Sequence, residues 1–499
     1  SGPPASSRND RGDIGGLGHR TNQQLRGGAG MKQRKKIRMA AVVASVVLIA
    51  ACGGDDKAAD TTKPAVETTV KAADTTAAPT DTTESTDTTA APDTTVAAPT
   101  GWAVDTSACV DEDAANAPIE GTIKIGSVMP LSGGAAAAAF APVKGGFEAY
   151  IKYANDNNLL DGVNIEIAIE DDQYNAELTP GAVSKLLDSG VNIFSGIIGS
   201  ANNAAVRGTL NDNCVPQLAN LSGSPEWGDV ADYPWTTGQL TPYNVESKVY
   251  ATQMAEMFPE GANVSLFNVN SEFGQVYVDA FKEIAGDYGL TIVGDETIEV
   301  TDSAPPTAQV TNIAAAKPDV IMAVPLGAGC ISFLTEVANA KAANPGWNPA
   351  VFITNTCASS LILGASGAAA DGLYTSANTI DVIDPANAAV PVVAEYLAFM
   401  AADGKSDIAA TAAAGWITAE VTVAVLIQAA ASPEGLTQAS IINAARNFTY
   451  TPSLGVPGLV FKMDGEKDPF LSESLVVRQY NAAAATFTDV SKLITEFES

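Results

Sequence analysis

"TIKIGSVM" (Thr122–Met129) is a short apolar, β-branched run, and it reads as a buried strand. What surrounds it sets the fold. "FAPVKGGFEAYIKYANDN" (Phe140–Asn157) follows, with Phe147, Tyr150, Ile151 and Ala154 on one helical face. "VNIEIAIEDD" (Val163–Asp172) then alternates as a strand. A helix over Leu178–Asp188, a strand in "NIFSGIIG" (Asn192–Gly199), another helix and "VPQLAN" (Val215–Asn220) continue the series. A second series starts after Thr241. It reads helix 244–257, strand "NVSLFNVN" (Asn263–Asn270), helix 273–288, strand "LTIVGDETI" (Leu290–Ile298), helix 308–316 and strand "DVIMAVP" (Asp319–Pro325). One more helix leads to "AVFITN" (Ala350–Asn355). Alternation at this spacing implies parallel sheets covered on both faces, and two series imply two doubly wound α/β lobes.

Ligands of such sheets bind beyond the carboxyl ends of the strands. The strand-end segments are "PLSGGAAAAAF", "GSANN", "LSGSPEW", "NSEFG", "PLGAGC" and "NTCASS". They are rich in hydroxyls, amides and exposable backbone N–H groups, which suit a small polar ligand. Any one of these residues is equally at home as a loop or helix-cap residue. The whole set on successive strand ends favours a site.

Ahead of the folded part, "MKQRKKIR" (Met31–Arg38) precedes a thirteen-residue apolar run, Met39–Ala51. A bilayer span needs about 20 residues, so the pair reads as a signal peptide over 31–51. Residues 1–30 read as an upstream leader outside the fold. Ile49-Ala50-Ala51-Cys52 resembles the bacterial lipobox. That resemblance implies cleavage before Cys52, a diacylglycerol on its sulfur and anchoring by two or more acyl chains. From Gly53 to Thr100 the chain is mostly Thr, Ala, Asp and Pro, with "DTT" five times and no aromatic residue. Such a segment cannot offset its backbone entropy by burial, and it reads, with the lead-in to residue 117, as a solvated tether.

The sequence carries 27 Lys+Arg and 57 Asp+Glu. Nine basic and two acidic residues precede Cys52, leaving 18 against 55, a formal charge of −37. No basic stripe exists to neutralise phosphates, so nucleic acid is not an expected partner. The single histidine is His19, in the leader. The mature chain therefore lacks Ser-His-Asp and Cys-His catalysis and any His-containing zinc site, and no catalytic residue, metal or cofactor is expected. Four cysteines remain beyond Cys52: Cys109, Cys214, Cys330 and Cys357. An even count in an exported chain points to two disulfides with three possible connectivities, or else to free buried thiols. Cys109–Cys214 would fasten the lead-in to the first lobe, and Cys330–Cys357 would join two strand-end loops; this pairing is favoured.

"IKIGSVMPLSG" (Ile123–Gly133), "KGGFEAYIKYAN" (Lys144–Asn155) and "IEDDQYNAELTPGAVSKLL" (Ile169–Leu187) resemble the type I periplasmic solute-binding proteins of ABC importers. The closest group is the branched-chain amino-acid (leucine/isoleucine/valine) binding family. "NVNSEFGQVYVDAFKEIAGDYGLTIVGDETI" (Asn268–Ile298) and "GWITAEVTVAVLIQAA" (Gly415–Ala430) are similar to segments of that family's second lobe and late helix. The resemblance implies two Rossmann-like lobes hinged by three crossovers, near Gly238–Thr241, Tyr374–Asn378 and Leu454–Leu459. Lobe one would be 118–239 plus 378–453, and lobe two 240–375 plus 458–490.

Carried residue by residue, the resemblance places the first ligand loop on Ser132–Ala139, including Ser132 and Gly133, with Phe140 just beyond. The groups for a ligand carboxylate fall on Ser200, Asn202, Asn203, Ser222 and Ser224. The second lobe's aromatic falls on Phe273, and its strand-end loops contribute Gly327 and Thr356. Trp416 is a candidate pocket wall, with core packing as its alternative. Leucine-type binders carry an acidic residue for the ligand ammonium where this chain has Thr356. The reading that follows is an extracytoplasmic lipoprotein, monomeric, on the outer face of the cell membrane. It captures a small polar solute (amino acid, amide or related carboxylate) and delivers it to permease subunits served by cytoplasmic ATPases. A ligand-sensing receptor subunit is the alternative. A secreted hydrolase working through carboxylates such as Asp171, Asp172 and Glu226 is a third.

Overall fold

The structure, a computed structural model, describes residues 101–302 and 304–498. The expected signal peptide, Cys52 and the Thr-rich segment lie outside the described residues.

The first sheet is formed by β1 (Thr122–Met129), β2 (Asn164–Asp171), β3 (Ile193–Ser195), β4 (Gln217–Asn220) and β5 (Thr236–Gly238). All neighbours are parallel, in the order β2-β1-β3-β4-β5. Strand β1 is buried on both faces, as its apolar run requires. Ile123, Ile125 and Met129 face one core with α2 (Gly134–Asp156) and α11 (Ala409–Ala430). Val128 faces the other, with Val183 and Leu186 of α3 (Thr179–Asp188) and Val206 and Leu210 of α4 (Ser200–Asp212). Helix α11 is long and apolar enough to cross a membrane, but it is mostly buried against α2 and the sheet, as the core helix of this lobe.

The second sheet contains β6 (Ala262–Asn270), β7 (Leu290–Glu299), β8 (Val320–Val324), β9 (Ala350–Ile353), β10 (Tyr374–Ala377), β13 (Val476–Asn481) and β14 (Thr486–Asp489). Its order is β14-β13-β10-β9-β8-β6-β7. Side chains alternate between two cores. Val264, Leu266 and Met322 pack with α5 (Tyr243–Met257) and α6 (Glu272–Ile284), while Phe267, Ile321 and Ala323 pack with α7 (Thr307–Ala316) and α8 (Ala328–Ala343). The sheet is mixed where the sequence reads as purely parallel: β13 runs antiparallel to β10, and β14 closes a hairpin on β13.

Three further differences bear on the site. The alanine run expected as a ligand loop is helical from Gly134, so α2 starts at Gly134 rather than Phe140 and the loop after β1 is short. Alanine is the best helix former, which accounts for the shift. β5 has only three residues and carries no visible period. The third passage between lobes also falls later than Leu454–Leu459. That stretch does run beside the hinge, with Ile380 N–H bonded to Leu454 O (2.8 Å) and Val456 N–H to Asn378 O (3.0 Å). The chain then returns: β12 (Phe461–Asp464) pairs with β11 (Asn447–Tyr450), and Phe461, Met463 and Leu471 lie in the first lobe's core. The second lobe's core is reached only at Leu475 and Val477.

Both favoured disulfides are present, with Cα–Cα distances of 5.5 Å for Cys109–Cys214 and 6.0 Å for Cys330–Cys357. The lead-in is fastened further by Asn447, whose side chain bonds both the N–H (2.9 Å) and the C=O (2.7 Å) of Trp102.

Candidate ligand-binding site

A cavity of about 270 Å³ lies between the lobes, just under the range of about 300–1,000 Å³ usual for small-molecule pockets. Its wall is built from strand ends, as the topology requires. Tyr174 follows β2, Ile198 and Gly199 follow β3, Leu221 follows β4, and Gln239, Leu240 and Tyr243 follow β5. From the second lobe come Phe273, Leu326, Asn355, Thr356 and the β10 residues Thr375–Ala377. The hinge strand Asn378–Val382, helix α2 (Ala139, Phe140, Val143) and helix α11 (Ala410, Ala413, Ala414, Ile417) complete it. The lobes touch across the cleft through α4 on α6 and α2 on α8. Ser224 of the first lobe donates to Glu272 of the second at 3.0 Å. Burial raises the Glu272 pKa, Glu226 adds to the rise, and the Ser224 hydroxyl opposes it.

The aromatic wall is set by a strained turn. Gln173 and Tyr174 both have positive φ (56° and 58°), a conformation that non-glycine residues rarely adopt. Two carboxylates hold it. Asp171 accepts the N–H groups of Leu131 (2.9 Å), Ser132 (3.2 Å) and Gln173 (3.0 Å), and the Ser132 hydroxyl. Asp172, fully buried, accepts Tyr174 N–H (3.0 Å), Thr179 Oγ1 (2.8 Å) and Asn202 Nδ2 (2.8 Å). Tyr174 thereby stacks on Phe140 with centroids 6.1 Å apart, and both rings touch the cores of both lobes. Gly199 (φ 103°) makes room: a side chain there would strike Tyr174 and Asn202.

The residues expected from sequence divide accordingly. Phe140, Phe273 and Thr356 border the cavity. Ser132 and Gly133 brace the β1 loop, and Gly327, at φ 57°, turns the chain into α8 beside the lining residue Leu326. Asn202 serves Asp172, and Asn203 donates to Ile197 O and Gly199 O (2.8 Å each). Ser200 and Ser222 bond each other (2.8 Å) behind Tyr243, and Ser224 takes part in the interlobe bond. Trp416 lies in the core, edge-on to Tyr150 (4.9 Å) and Tyr396 (5.2 Å), while its neighbours on α11 face the cavity. Sequence reading missed Tyr174, Gln239, Tyr243 and the hinge residues Asn378–Val382. The strand-end rule applied to β2 would have found Tyr174.

Residues 122–483 match the family model described as periplasmic binding protein. The chain belongs to the periplasmic binding protein family. No protein of curated function matches it by sequence. Among solved structures it is similar to a branched-chain amino-acid ABC transporter protein from Thermus thermophilus with bound valine. The TM-score is 0.66 and the identity 18%, over 75% of this chain and 97% of that one. It is also similar to a fatty-acid ABC transporter substrate-binding protein from Thermomonospora curvata (TM-score 0.64, 15% identity, 76% and 95% covered). A third is a solute-binding protein from R. palustris in complex with 4-hydroxybenzoate (TM-score 0.60, 19% identity, 75% and 95% covered). At these identities the likeness establishes the fold, two α/β lobes of type I; the second and third of these structures are described as substrate-binding and solute-binding proteins. The family's place is extracytoplasmic. As a periplasmic binding protein, the chain has its cavity where the fold puts ligands, and Asp171 and Asp172 are occupied in holding the wall.

Proposed function

We propose that this periplasmic binding protein is the solute-capture subunit of an ABC importer, held at the outer membrane face by acyl chains on Cys52. The observation that carries this reading is the interlobe cavity, walled by strand ends of both lobes and by the hinge. A solute bound there contacts both lobes at once, so binding favours the closed arrangement by its differential affinity. The closed form then docks on the permease subunits, and the cytoplasmic ATPases drive release. Phe140, Tyr174, Phe273, Tyr243, Gln239 and Thr356 form the binding surface. The chain performs no chemistry in this role.

Native mass spectrometry of the protein from its own host tests this. The expected spectrum shows one small solute per chain, lost on mild denaturation. A chain without any bound species, and without any change on incubation with host metabolite extract, contradicts the proposal.

A further inference from the structure

The cleft's hydroxyl shelf is closed off. Ser200 and Ser222 lie on the strand ends where a ligand carboxylate is expected, yet neither borders the cavity. Their hydroxyls bond each other at 2.8 Å, and the Tyr243 ring packs so closely on Gly223, next to Ser222, that a side chain on that glycine would strike it. Tyr243 is 3% exposed and is wedged between Tyr277 (stacked, 4.4 Å) and Phe273 (edge-on, 5.2 Å). The cavity therefore meets an aromatic ring where two serines stand behind it.

We infer that Tyr243 is a specificity residue that excludes the zwitterionic head of α-amino acids and selects amphipathic solutes with an apolar chain or ring and one polar head. This rests on the capture reading above. Two further observations carry it. The wall is largely hydrocarbon and arene, from Phe140, Val143, Ile198, Leu221, Phe273 and Ile417. Burying an ammonium and a carboxylate against such a wall is costly without partners for each. The charged lining groups are already engaged. Arg478 donates to Asp489 (2.7 Å) and to Thr379 O (2.9 Å). Asp381 accepts the Ile383 N–H (3.2 Å) and has a further partner. By contrast Gln239, 6% exposed and lining the cavity, has a buried amide oxygen without a hydrogen-bond partner among the described residues. A carboxamide is both donor and acceptor, so one uncharged or singly charged head can be read there while the body lies on the aromatic wall.

Thermal unfolding of the full chain with two probe sets tests the inference. Set one is hexanoate, hexanamide, benzoate and benzamide; set two is leucine, valine and phenylalanine. The expected result is a midpoint rise of a few degrees with at least one member of set one and none with set two. In Tyr243→Ala the serines face the cavity, and set two should gain a response. Tyr243→Leu is the substitute variant if alanine does not fold, and the wild-type comparison stands without either. An amino-acid response in the wild type equal to the best of set one overturns this inference and leaves the capture reading intact. Silence toward both sets and toward host metabolite extract counts against the two together.

Discussion

Glu246 shows how a single buried carboxylate shapes the wall from behind. It is fully buried on α5 and accepts hydrogen bonds from Tyr250 (2.6 Å), Ser376 (2.9 Å), Asn355 N–H (2.9 Å) and the Tyr277 hydroxyl. Ser376 and Asn355 border the cavity, so this carboxylate fixes two wall positions at once. Burial raises its pKa, and the four donors only partly oppose that. The sign follows: stability from Glu246 is fully present below the unfolded value of about 4.3 and is lost as pH rises through the raised folded value. Glu246→Gln keeps the shape and removes the titration. Its stability relative to wild type should rise with pH across that window, by about 1.4 kcal/mol per pH unit. Denaturant unfolding at a series of pH values reads this, and a constant difference would contradict it. Nothing in the sequence distinguishes Glu246 from a surface glutamate; its role depends on tyrosines and a strand that converge only in the fold. Tyr243 is similar, because it follows a three-residue strand too short to show a period. Phe140 and Phe273 were legible through the family resemblance, which carries an aromatic to each position; in the fold they stand on α2 and α6, the helices that follow the first long strand of each lobe.

At the scale of elements, α2 and α11 meet closely enough that both contribute a glycine. A side chain on Gly146 would run into the Ala412 carbonyl, and one on Gly415 into the Val143 carbonyl. The contact is backbone to backbone, so no rotamer relieves it. Overpacking of a core typically costs about 1–3 kcal/mol, and Gly146→Ala should fall at or above the top of that range in denaturant unfolding. Gly181→Ala on α3, with open space around it, is the matched control. It should be neutral or stabilising by up to about 1 kcal/mol. Equal effects would mean that the helices do not meet as described. The order of strands and helices was legible from alternating apolar runs, since those runs are what the two cores bury. The antiparallel β13–β14 hairpin was not, because strand direction within a sheet leaves no trace in a local pattern. The early start of α2 was misread because alanine carries no apolar period even where it is helical.

For the whole molecule, the two lobes are joined by the hinge strands and by contacts across the cleft, including the Ser224–Glu272 bond. The cavity floor is formed by the N-terminal half of α11, where Ala414 is exposed and borders the cavity. Ala414→Trp fills that space without touching the wall's hydrogen bonds. The central claim is that this space takes the solute. Titration calorimetry with the solute found on the purified chain, on wild type and on Ala414→Trp, tests it most directly. One site per chain in wild type and an affinity at least about tenfold weaker in the variant, some 1.4 kcal/mol, is the predicted result. Equal affinity in a folded variant would contradict it.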